Sequence, residues 1–151
     1  MIKKIFLGVV VLLAAAQFVR PDKNLSATAG PNDIAVKHPV PAKVRALLQR
    51  ACYDCHSNTT HYPWYAEVQP VGWWLTRHVN EGRRHLDFSA FATYTPKRAK
   101  TKIDEVADEV DQRHMPLKSY TWMHPEARLT PAERTLLIDW ARSLQDEISP
   151  Q

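Results

Sequence analysis

Apolar positions along this chain recur at helical spacing, and prolines separate one helical stretch from the next. Residues Ile5 to Val19 are apolar except for Gly8 and Gln17, and Lys3 and Lys4 precede them. A basic start followed by a hydrophobic run is the pattern of an export signal. The run is shorter than the about 20 residues that a membrane span typically needs. Ala14-Ala15-Ala16 leads into Gln17-Phe18-Val19-Arg20-Pro21, a weak cleavage site. The pattern predicts a hydrophobic helix over residues 1–19, read as an uncleaved membrane anchor in preference to a cleaved signal peptide. Either reading places the rest of the chain outside the cytoplasm.

Residues 20–40 hold Pro21, Ser26, Thr28, Gly30, Pro31, Asn32 and Pro39 and lack apolar periodicity. They read as a tether, with His38 as a solvated loop residue. Pro41 suits a first helical turn, and Val44, Leu47, Leu48 and Ala51 follow at helical spacing. Residues 57–69 are irregular, and their aromatics are expected to pack. Pro70 opens a second helix, with Val71, Trp74, Leu75, His78, Val79 and Gly82 on one face. Thr95-Pro96 opens a third, with Ile103, Val106, Ala107 and Val110 inward. The last helix has Thr130 as N-cap, Pro131 at the first position and Glu133 completing a capping box. Leu136, Leu137, Trp140, Ala141 and Leu144 are its expected buried stripe, and the tail frays through Ser149 and Pro150.

Length and composition narrow this picture. With 151 residues the chain suffices for one domain with a real core. Eleven prolines against four glycines agree with short helices between proline-marked turns. Lys3 and Lys4 account for two of the four net positive charges. The remainder is too weakly basic for a nucleic-acid partner, and no basic run with interleaved aromatics is present.

The candidate chemistry sits at Cys52-Tyr53-Asp54-Cys55-His56, directly after the first predicted helix of the domain. Two cysteines three apart with a histidine next to the second form the attachment signature of a c-type haem. Each thiol can add to one haem vinyl group, and His56 can then reach the iron. A redox dithiol, half of a zinc site and a disulfide compete with this reading. A thioredoxin-like dithiol belongs beside a βαβ pattern, which is not visible here. A closed zinc site needs four ligands, and these are the chain's two cysteines. The expected fold is all-α: a small cytochrome c-like domain over residues 41–148 around one covalently bound haem, preceded by the hydrophobic helix.

Across the iron, Met115 is the favoured second ligand. It precedes Pro116, which pushes it out of helical geometry between two helices. Its thioether favours reduced iron. A core gap-filler is the alternative role for such a residue. His78, on the apolar stripe, reads as a satisfied core histidine or a ligand, and His85 is a weaker candidate. Met123 is expected to pack. Arg83 and Arg84 are solvated turn residues or partners of the haem propionates.

These residues resemble a small monohaem cytochrome c. More closely, the chain is similar to the bacterial haem-binding domain family of exported proteins. The resemblance rests on Gln17-Phe18-Val19-Arg20-Pro21, Cys52-Tyr53-Asp54-Cys55-His56-Ser57-Asn58, Pro63-Trp64-Tyr65, Val79-Asn80-Glu81-Gly82-Arg83, Met115-Pro116 with Tyr120, and His124-Pro125-Glu126-Ala127 into Leu129-Thr130. It covers nearly the whole chain and speaks for cofactor and fold more than for role. The expected role is single-electron transfer by haem c, held by Cys52, Cys55, His56 and Met115, to redox partner proteins on the periplasmic side of the inner membrane. A haem-based sensor, a small-ligand binder or a weak peroxidase with an open distal site is the alternative.

Overall fold

The computed structural model describes residues 1–148. The expected fraying at Ser149 and Pro150 lies outside them. The described residues form helices and turns with no strand, apart from one isolated antiparallel bridge between Leu25 and Thr59. The helices are α1 (Ile2–Ala16), α2 (Ile34–Lys37), α3 (Ala42–Ala51), α4 (Tyr53–His56), α5 (Val71–His85), α6 (Pro96–Asp111), α7 (Lys118–Met123) and α8 (Pro131–Glu147).

Helices α6 and α8 pack along each other. Ala99, Ile103, Ala107 and Val110 are buried on α6 at helical spacing. On α8 the buried side chains are Leu137, Ile138, Trp140, Ala141 and Leu144. Leu136, expected inside, is 36% exposed, and Ile138 is buried instead. Both helices start as the sequence predicts. The Thr95 hydroxyl accepts from the Arg98 amide, and Thr130 and Glu133 form a complete capping box. Leu47 and Leu48 of α3 complete this core together with Phe88 and Phe91 of the 3-10 turn Phe88–Thr93. That turn has no periodic apolar signal, yet both phenylalanines are only 1% exposed.

Residues 20–40 are not a free tether. Ile34 is fully buried, and Asp33 Oδ1 accepts from the Ala35 amide to cap α2. The Tyr53 hydroxyl donates to Asp33 Oδ2 at 3.1 Å. The Asn24 side chain donates to the Ser57 carbonyl and the Thr60 hydroxyl. His38 is half-buried with its ring edge-on to Phe91, 5.8 Å between centroids. Polar side chains fix this segment, so apolar periodicity could not announce it. Asp33→Ala removes a cap and leaves a buried tyrosine hydroxyl unpaired. A loss of about 2 kcal/mol is expected in urea unfolding, whereas a free tether would leave the midpoint unchanged.

None of the 15 residues of α1 is buried. No helix among the described residues is long and apolar enough to cross a membrane. The end of α1 is nonetheless joined to the domain. Gln17 Nε2 donates to the Gln69 carbonyl at 3.1 Å, and the Gln69 amide donates back to Gln17 Oε1 at 3.0 Å.

Candidate functional site: a haem cavity

The motif sits where α3 stops and restarts. Val44, Leu47, Leu48 and Ala51 are buried, as the spacing predicts. Cys52 leaves helical geometry at φ −128°, and α4 then carries Cys55 and His56. Cys52, Cys55 and His56 all line one cavity of about 490 Å³ bounded by α4, α5, α6 and the stretch from Met115 to Tyr120. Ala51, Leu86, Phe88, Val106 and Val110 supply apolar wall. Size and lining are those of a cofactor pocket.

His56 is oriented by the backbone. Its Nδ1 lies 3.0 Å from the Leu86 carbonyl, and a carbonyl can only accept, so Nδ1 carries the proton. The lone pair is then on Nε2, which is the metal-binding form. Burial lowers the pKa of His56, partly offset by the bond to the Leu86 carbonyl, so the ring is neutral. Phe88 meets it edge-on at 6.4 Å.

The two residues between the cysteines hold the motif in place. Tyr53 stacks on Phe88, 5.4 Å between centroids, while its hydroxyl reaches Asp33. Asp54 accepts from the His61 amide at 2.9 Å and from the Tyr120 hydroxyl at 2.6 Å. Burial and Asp54 push the Tyr120 hydroxyl pKa upward, so it stays protonated and donates. Gly82 of α5 packs against Cys55 so closely that a Cβ would lie 2.5 Å from the Cys55 carbonyl oxygen.

Both cysteines are free and half-buried. Burial, then Cys55, pushes the Cys52 thiol up to about 12, and burial, then Asp54, pushes Cys55 up to about 11. Catalytic dithiols have lowered thiol pKa values, the opposite direction to these. Among the described residues, no three His, Cys, Asp or Glu side chains converge as a closed zinc site requires.

Opposite the motif, α6 ends at Asp111 and Arg113 takes a positive φ of 61°. The amides of His114 and Met115 both donate to the Glu109 carbonyl, and Met115 faces the cavity. His78 and His85 line the cavity as well. His78 Nδ1 is 2.9 Å from the Trp74 carbonyl, and its ring lies 4.2 Å from the Trp74 indole. All three distal candidates are therefore brought to one chamber.

Other expectations give way. On α5, Val79 is buried as predicted, with Gly72 and Thr76 beside it, while Val71 and Trp74 are exposed. The spacing had selected the side that carries His78 and Gly82 to the cavity. Of the aromatics in residues 57–69 that were expected to pack, Trp64 is 79% exposed. Met123 is 51% exposed and so is not a packed core residue. Arg83 is absent from the cavity wall. It pairs with Asp87 at 2.9 Å and donates to Asn24 Oδ1. Arg84 lies on a separate open hollow with Pro21 and Trp73. Sequence reading missed the Leu86 carbonyl, Asp33 and the Tyr120–Asp54 bond, all contacts between residues distant along the chain.

A family model described as a haem-binding domain matches residues 11–143. The chain belongs to the haem-binding domain family. No curated protein and no solved structure matches it significantly. The match starts within α1 and ends within α8, so it takes in the ordered segment 20–40. The cavity of this haem-binding domain fits its cofactor. The walls are largely apolar, His56 presents Nε2, two thiols lie beside it, and the thioether of Met115 lines the same space.

Proposed function

We propose that this haem-binding domain is a monohaem c-type cytochrome that passes single electrons between redox partner proteins on the periplasmic side of a membrane. Cys52 and Cys55 would hold the haem by two thioethers, and His56 and Met115 would ligate its iron. Bound haem would supply a one-electron iron centre, whose potential its iron ligands and the surrounding burial would set. The apolar helix α1 anchors the domain at the membrane. One observation carries this reading: both thiols, the backbone-oriented His56 and Met115 share the wall of one cavity. No further group in that cavity is needed for an electron carrier.

Optical spectra of the purified holoprotein test it. The oxidised form is expected to show a weak red sulfur-to-iron band that vanishes in Met115→Ala. The midpoint potential falls in the same variant, because a soft thioether favours the reduced iron. Rapid carbon monoxide binding to reduced wild-type protein would overturn the His56–Met115 pair. It would favour a ligand-binding or sensing role, for which His78 and His85 on the same wall provide polar contacts.

A further inference from the structure

We infer that the domain itself rests on the bilayer, through the exposed apolar side chains near the joint between Gln17 and Gln69, Val68 and Val71 among them. The inference rests on the reading of α1 as a membrane anchor.

Length gives the first argument. The 15 residues of α1 rise about 22 Å, short of a hydrocarbon core of about 30 Å. The shortfall matches the about 5–10 Å to which interfacial elements sink into the headgroup region. A short anchor that is rigidly joined to a domain pulls that domain down to the interface.

The joint is rigid in this sense. The reciprocal Gln17–Gln69 bonds fix the end of α1 to the turn before α5. The Trp73 indole donates to the Val19 carbonyl at 2.7 Å. Glu67 pairs with both Arg20 and Lys23, which follow α1.

The surface at this joint is the one that an interface favours. Among the described residues, twelve large apolar side chains outside the Met1–Leu13 run are substantially exposed, and seven lie within five residues of Gln17 or Gln69 along the chain. Trp64, Trp73 and Trp74 are three of the seven, with Val68 and Val71 between them. Tryptophan is enriched at membrane–water boundaries, where an apolar ring and a polar N–H are both accommodated. Exposed apolar side chains gathered at one place mark an interaction site. Trp74 also lies 4.2 Å from the ring of His78, which lines the cavity, so one side chain separates the cavity from the proposed interface.

The test uses full-length holoprotein in phosphatidylcholine vesicles, with p-benzoylphenylalanine placed singly at Val68, Val71 or, as control, Val36 of α2. After illumination, lipid adducts are read by mass spectrometry, and resistance to carbonate extraction reports the anchor. Adducts at positions 68 and 71 but not 36, in carbonate-resistant protein, are the expected result. Carbonate-resistant protein with no adducts at 68 and 71 overturns the docked face and leaves the anchor standing. Extractable protein that still forms those adducts sinks the anchor and keeps the face as a peripheral contact. Extractable protein without adducts overturns both.

Discussion

Protein carrying Cys52→Ala and Cys55→Ala, produced alongside a working haem-attachment system, is expected to migrate free of haem on a denaturing gel. The reason is the number and type of bonds left. Each thioether is covalent and survives denaturant, while the bond from His56 to iron depends on a folded wall that holds the ring. That ring is set by one hydrogen bond to the Leu86 carbonyl and by contact with Phe88, and both are lost on unfolding. The single variants separate the two thiols. Cys52→Ala and Cys55→Ala each retain one thioether and so some haem staining, with a changed absorption maximum because one vinyl group stays unsaturated. His56→Ala behaves in the opposite way: staining persists, while the spectrum reports a lost axial ligand. Staining of the double variant at the wild-type level would rule out attachment through these cysteines. It would leave a haem-binding domain that holds its cofactor without covalent bonds.

The parts of this molecule that were legible in sequence are those governed by local physics. Thr95 and Thr130 cap the helices that they were expected to open, because capping is decided within four residues. The stripe from Val44 to Ala51 is buried because a single helix face decides it. The pentapeptide stood out because its spacing is local, and its two cysteines and His56 line one cavity. Met115 stands outside helical geometry as its proline neighbour predicts, although α6 already ends at Asp111, before the positive φ at Arg113, and Met115 lines the cavity.

What stayed hidden depends on partners far along the chain. Asp33 is buried by its bond to Tyr53, twenty residues away, and no pattern around Asp33 announces a core position. Arg83 looked free to meet a propionate, yet Asp87 and Asn24 hold it elsewhere. The face of α5 was misassigned in part, Val79 apart, because the helix has two demanding sides. Gly72, Thr76 and Val79 are small or β-branched residues that allow close packing. The bulkier Trp74 and His78 look toward the cavity and the surface. Periodicity weights the bulkier side, and tertiary packing selects the smaller one.

Gly82→Ala is expected to reduce stability and disturb the haem together. Alanine in a helix interior gains about 1 kcal/mol over glycine, so on propensity alone the variant would be more stable. Against that gain, the new Cβ would lie 2.5 Å from the Cys55 carbonyl oxygen and 3.2 Å from the Cys55 Cβ. Backbone cannot swing aside as a long side chain can, so α5 and α4 must separate. Overpacking of this kind costs about 1–3 kcal/mol, which outweighs the propensity gain. The separation acts where Cys55 and His56 meet the cavity, so haem yield and the sulfur-to-iron band should fall along with the urea midpoint. Gly72→Ala makes the comparison informative. Its Cβ would come 2.3 Å from the Ala66 carbonyl, a clash of the same kind at the other end of α5. That variant should lose stability while the haem that it does carry keeps the wild-type spectrum. If both variants lowered the midpoint and neither altered the spectrum, the close approach of α5 to α4 would be ordinary packing. Gly82 would then have no part in positioning the haem ligands.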